Sequence, residues 1–149
     1  MAGNNPCVQC GACCAYFRVS FFWQEADPEN PESVPIELTV NTDEQRICMQ
    51  GTDHPSPRCI VLQGQIGQRV GCSIYDRRPS PCREFGLHDN HGIISATGID
   101  LIRCNQARLA WNLPPLTRVQ LRLLTHTPSI RTAHTSIHHH NKYFDRHHR

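Results

Sequence analysis

The sequence lacks three features that would identify whole classes of protein. It has no hydrophobic run long enough to span a bilayer, and its first cysteine, at position 7, comes before a signal peptide could fit. It also has no flavin, nicotinamide or radical-cofactor motif. We therefore expect a cytoplasmic protein with no membrane partner, and its sequence assigns it no catalytic activity.

Positive charge is scarce in most of the chain. Residues 1–114 contain nine arginines and no lysine against twelve Asp or Glu, whereas residues 115–149 contain six Lys or Arg against one Asp. A broad nucleic-acid-binding face needs Lys and Arg clustered on the folded surface. Nucleic acid is therefore not an expected partner, and the sequence names no protein partner.

Cysteine, by contrast, is abundant: there are nine in 149 residues, and four of them fall within residues 7–14. In a reducing compartment such a cluster favours a metal site, and disulfides are expected only if the protein is secreted. Gly11 supplies a position where φ > 0 has little steric cost. Adjacent side chains on an extended backbone point to opposite sides, so Cys13 and Cys14 indicate two centres, or one centre and a cysteine that braces it.

Three segments have the composition of β-strands. Residues 15–23 alternate apolar and polar side chains, and residues 34–40 predict an edge strand because Pro35 cannot donate to a ladder. Residues 59–75 predict a β-hairpin. Such a hairpin would bring Cys59 and Cys72 side by side near its open end.

Two short helices are predicted downstream. Ser80 can cap a helix that begins at Pro81, which places Cys82 in the first turn, where the amide dipoles favour a thiolate. Residues 104–111 predict a helix opened by Cys104, a weaker pattern starts near Thr117, and residues 88–92 read as a loop.

These elements predict an α+β fold with two parts. Residues 1–115 would form a small, irregular, metal-stabilised domain with a β-hairpin and short helices. Residues 116–149 would form a disordered, basic, His-rich C-terminal tail, because seven of the ten histidines lie there among Thr, Ser and Arg with little to pack.

The cysteine spacing resembles that of a known family. The pattern is Cys7-x2-Cys10-x2-Cys13-Cys14, then Cys59, then Cys72-Ser73-Ile74-Tyr75-x3-Pro79-x2-Cys82-Arg83-x-Phe85, and finally Cys104. It is similar, over residues 6–115, to the bacterial YkgJ-type cysteine-cluster proteins, also described as a zinc- or iron-chelating domain. The resemblance implies metal chelation by cysteines and no further role.

We expect the opening cysteines to meet the downstream ones in space, because eight thiolates suit two four-coordinate centres. Cys48 is expected to stand apart, as a free thiol or a spare contact in a polar turn region. The predicted ligands of zinc or iron, the latter in an iron–sulfur cluster or alone, are Cys7, Cys10, Cys13, Cys14, Cys59, Cys72, Cys82 and Cys104.

Two other functions stay open. An iron–sulfur redox or sensing protein would fit the opening Cys-x2-Cys-x2-Cys, which resembles ferredoxin ligation, although Cys14 replaces the usual x3-Cys-Pro continuation. An enzyme that uses one thiolate would need a partner such as His54, His88 or His91, but lone histidines in loops are more often solvent-facing or structural.

Overall fold

The computed structural model describes residues 6–90 and 93–117 together with the short segments 122–123 and 144–146. Over these residues the chain forms three small sheets and two α-helices, which is compatible with the predicted α+β class. In the part of the chain that the model describes, no helix is long and apolar enough to cross a membrane. The strands are β1 (Phe17–Phe22), β2 (Thr39–Asn41), β3 (Arg46–Met49), β4 (Leu62–Gln65), β5 (Arg69–Cys72), β6 (His88–Asn90), β7 (Ile93–Ala96), β8 (Arg122–Leu123) and β9 (Phe144–Arg146), and the helices are α1 (Ser80–Glu84) and α2 (Gly98–Ala110).

The first sheet has the strand order β2-β3-β1-β9 and is antiparallel throughout. The alternating pattern of β1 buries Phe17, Val19 and Phe21 in the main core, as a half-buried strand requires. The predicted edge strand is β2, but it begins at Thr39. The residues before it form a 3₁₀ turn, Ile36–Leu38, which the Leu38 amide closes by donating to the Pro35 carbonyl.

The predicted hairpin is formed by β4 and β5, but its register differs from the expected one. Cys72 pairs with Leu62 rather than with Cys59. Cys59 lies in a turn before β4, where its carbonyl accepts a hydrogen bond from the Leu62 amide at 3.0 Å. The predicted cross-strand pair is therefore wrong, because the ladder begins three residues after Cys59.

Helix α1 places Cys82 in its first turn, as expected, but Ser80 does not cap it. The Ser80 backbone amide and hydroxyl both donate to the carboxylate of Glu25, at 2.8 Å each. A carboxylate at a helix N-terminus accepts from amides that have no partner within the helix. The cap of α1 thus comes from a residue 55 positions earlier in the chain.

Helix α2 begins at Gly98, six residues before the predicted start. The Thr97 hydroxyl accepts from the Asp100 amide at 3.1 Å and caps the helix. Cys104 therefore lies in the middle of α2, on the buried side with Leu101 and Ala107.

The remaining segments differ from the predictions where the structure describes them, and other parts of them lie outside the described residues. A loop was expected at residues 88–92, but His88–Asn90 form β6, which pairs antiparallel with β7; residues 91–92 lie outside the described residues. The helix expected from Thr117 is contradicted at β8, which pairs in parallel with β7, and residues 118–121 and 124 lie outside the described residues. Within the His-rich tail, β9 pairs with β1, and apart from residues 116–117, β8 and β9 the tail lies outside the described residues.

Candidate metal centre

Eight of the nine cysteines line one cavity of about 220 Å³. They are the eight that were predicted to meet, so their convergence in space is observed, while their role as ligands stays a prediction. Among the described residues that line the cavity, Arg78 is the charged one, and none is a histidine. His54 and His88 are exposed, and His91 lies outside the described residues.

The opening motif reaches this cavity because its backbone folds tightly against the hairpin. The Cys10 amide donates to the Cys7 carbonyl at 3.2 Å, and the Cys10 carbonyl accepts from the Gly67 amide at 2.9 Å. Gly11 has φ +72°, and a Cβ there would lie 2.8 Å from a methyl carbon of Val70. Only glycine fits both the conformation and this close approach.

The other cysteines arrive on separate elements. The Cys59 amide donates to the Cys14 carbonyl at 2.8 Å, which ties the start of the hairpin to the doublet. Cys72 ends β5, Cys82 lies in α1, and Cys104 lies on α2, which packs on the 3₁₀ turn Cys13–Ala15. The Trp111 indole, just after α2, donates a hydrogen bond to the Ala15 carbonyl at 3.0 Å and so helps to hold α2 against this turn.

The pKa values of the two adjacent cysteines of the doublet shift in opposite directions. The Cys13 thiol donates to Cys14, and this hydrogen bond raises the pKa of Cys13 well above its ordinary value and lowers the pKa of Cys14. Arg78 and Arg58 lower the pKa of Cys14 further, against the effect of burial. Of the two thiols of the doublet, Cys14 is therefore the one more easily converted to the thiolate that metals bind.

Burial raises the pKa of five further thiols of the cavity. It raises the pKa of Cys7 to about 11 and those of Cys59 and Cys104 to about 12. It also raises the pKa of Cys72 and Cys82, which Arg78 partly offsets. A bound cation reverses this preference, since a coordinating thiol is deprotonated outright.

The donor set fits a thiolate-bound metal. All nine cysteines lie within the described residues, and none of them is in a disulfide. Thiolate sulfur suits zinc, iron and iron–sulfur clusters, and the cavity exceeds the roughly 30 Å³ that one water occupies in the liquid. Among the described residues, however, no three or more His, Cys, Asp or Glu side chains lie together so that they could hold a metal ion. The cysteine side chains must therefore move to complete a coordination sphere.

Cys48 lies outside the cavity, but not in a polar turn. It is completely buried in β3, opposite Ser20 of β1 and Val40 of β2. The prediction of a turn was wrong because a four-residue strand, Arg46–Met49, is too short to show a clear period. The sequence also did not identify Arg78 as a residue of the cavity. The feature that could have pointed to it is the Arg77-Arg78 pair just before Pro79.

Comparison with known proteins identifies the family. The model of the CxxCxxCC family, described as "Putative zinc- or iron-chelating domain", matches residues 6–106. The "Uncharacterized protein YkgJ" of Escherichia coli O157:H7 is 43% identical over 116 residues, which is 78% of this chain and 100% of that protein. The "Putative ferredoxin" of Acinetobacter calcoaceticus is 44% identical over 119 residues, 80% of this chain and 84% of that protein. No solved structure matches the chain. This chain belongs to the CxxCxxCC family of zinc- or iron-chelating domains.

Proposed function

We propose that this protein is a cytoplasmic metal-binding protein that holds zinc or iron through the eight cysteines of the cavity. The observation that carries the proposal is that these eight, and not Cys48, line a single space. Their sulfurs come from the opening motif, the hairpin and both helices, so a bound metal would join segments up to 97 residues apart in sequence.

The surroundings of the cavity support a bound cation rather than a reactive thiol. Apart from Tyr75 and Arg78, the side chains that line it with the cysteines are apolar, and burial raises the pKa of most of the thiols. An enzyme that uses one thiolate needs that thiol ionised and within reach of a base. Among the described residues that line this cavity, none is a histidine, the usual base.

An iron–sulfur protein is the second candidate function. The Acinetobacter relative is named as a ferredoxin, and thiolates hold both zinc and iron–sulfur clusters. A bound cluster would supply electron transfer or sensing, while the chain would supply thiolate ligands and the arginines that balance their charge. Zinc needs the same thiolates, so metal analysis has to decide between them.

Metal content and colour of the full chain test both functions. We expect protein purified without oxygen to contain at least one equivalent of zinc or iron per chain. A colourless sample with zinc supports a structural site, whereas a brown sample that absorbs visible light supports an iron–sulfur cluster. Negligible metal in protein whose thiols are fully reduced would contradict both.

The tail histidines should not contribute to this content. Closing a segment of Thr, Ser, His and Arg on a metal costs chain entropy, whereas the cysteines already line one cavity. We therefore expect a chain with the seven tail histidines changed to glutamine to keep the same tightly bound metal, measured by elemental analysis after dialysis. Loss of a full equivalent would show that histidines complete a site. The changed positions are His126, His134, His138, His139, His140, His147 and His148.

A further inference from the structure

A second cavity with mainly polar walls lies beside the cysteine cavity. Its volume is about 220 Å³, which exceeds the roughly 30 Å³ that one water occupies in the liquid. Among the described residues that line it, none is Asp or Glu. It therefore presents positive charge and hydrogen-bond donors to a molecule that enters it. The charged and polar groups in its wall come from Tyr75, Arg78, Arg83 and His88.

Backbone carbonyls hold the Arg78 guanidinium in place. Its Nε donates to the Tyr75 carbonyl at 2.9 Å, and its Nη1 donates to the Cys82 carbonyl at 3.4 Å. The group also stacks on the Tyr75 ring, with its central carbon 3.9 Å from the ring centre. A guanidinium that is already fixed in this way loses little further side-chain freedom when a ligand binds to it.

Arg83 of α1 brings a second guanidinium to the same cavity. Its Nη1 donates to the Arg78 carbonyl, and its Nη2 lies 3.8 Å from Oε1 of Glu25. The Glu25 carboxylate already accepts the amide and the hydroxyl of Ser80 at 2.8 Å each, and it does not line the cavity. Glu25 therefore balances the charge of Arg83 only in part.

The two cavities share part of their walls, including Arg78 and Cys82. A ligand in the second cavity would therefore lie beside the cysteines. Arg83 and His88 line the second cavity and not the first. These two side chains are thus the ones that separate a ligand site from the balancing of charge on the thiols by Arg78.

We propose that the second cavity is a binding site for a small oxyanion, either inorganic phosphate or the carboxylate of an organic acid. A guanidinium presents its N–H donors in a fixed fork that matches the oxygens of both groups. Arg78 and Arg83 bind the oxyanion, and the His88 imidazole supplies a further hydrogen-bonding group. The site requires no metal ion, so its test is independent of the metal content of the cysteine cavity.

Protection of arginines from phenylglyoxal tests the site in the unmodified full chain. Arg83 and Arg69 are both exposed, but Arg69 does not line the cavity and serves as an internal control. Phosphate or acetate, compared with sodium chloride at equal ionic strength, should slow the modification of Arg83 about tenfold when present at about ten times its dissociation constant. The modification of Arg69, followed by mass spectrometry of the same peptides, should not change.

Protection of Arg83 by only one of the two anions would identify the class of the ligand. Equal protection of Arg83 and Arg69 would overturn the proposal, because it would show a general effect of anions on exposed arginines. Absence of protection by either anion would overturn it as well.

Matched substitutions then measure the affinity by calorimetric titration of the full chain with the anion that protects. Arg83→Gln should weaken binding about tenfold or more, because it removes charged donors from the site. Arg69→Gln removes the same charge from β5 and should change the affinity less than about twofold. Equal weakening in both variants would overturn the proposal, since net charge alone would then attract the anion. If Arg83→Gln does not fold, the protection of Arg83 in the unmodified chain decides.

Discussion

Removal of the metal from the full chain should unfold the domain. Among the described residues, the second core cluster has three buried members, Leu87, Ala96 and Leu101, with Cys7 packed against them. Metal ligation can supply on the order of 10 kcal/mol of folding free energy, comparable to the whole 5–15 kcal/mol stability of a typical domain. We expect chelation to abolish the cooperative thermal transition seen by circular dichroism, and re-added metal to restore it.

The control for this experiment is the same chelator saturated beforehand with the metal. It should leave the transition unchanged, because it cannot extract the ion. Hydrogen exchange adds spatial detail, since α2 and the opening motif should lose protection together if Cys104 and Cys7 share a centre. An unchanged transition after complete removal of the metal would show that apolar packing alone holds the fold.

Cys82→Ser should lose metal and stability, whereas Cys48→Ser should lose neither to a comparable extent. Both changes replace sulfur with oxygen, but only Cys82 lines the cavity. Loss of a metal site is among the few single changes that cost about 4 kcal/mol or more, and we expect the loss of one ion with it. In the completely buried Cys48, the new hydroxyl should cost about 1–3 kcal/mol, reduced by the nearby Thr52 hydroxyl.

Chemical denaturation together with elemental analysis measures both effects. Each variant should be prepared without oxygen and its metal counted before unfolding. Equal losses of metal in the two variants would mean that the assignment of ligands by the cavity is wrong. A metal-replete Cys82→Ser chain would mean that Cys82 lines the site without binding the ion.

Features that depend on neighbouring residues could be predicted from the sequence. The turn at Gly11, the hairpin and the place of Cys82 in the first turn of α1 all follow from local turn and capping preferences. The choice of the eight cysteines also came from spacing. That choice did not require knowledge of the fold, because cysteines with the spacing of metal ligands indicate metal binding from the sequence alone.

Features that depend on distant segments could not be predicted in this way. Glu25 caps α1 across 55 residues, the ladder of the hairpin starts after Cys59, and Cys48 is buried because β1 and β2 flank its short strand. No local pattern contains the identity of a packing partner that lies tens of residues away.

The sequence by itself therefore determined which residues are fit to bind a metal, because ligand chemistry belongs to the side chain. Only the tertiary structure decided where each of them lies. The doublet could indicate two centres from its sequence alone, but the neighbours of Cys13 and Cys14 depend on how α2 and the hairpin pack around a 3₁₀ turn. That packing is set by contacts between segments far apart in the chain, which residue type and spacing do not specify.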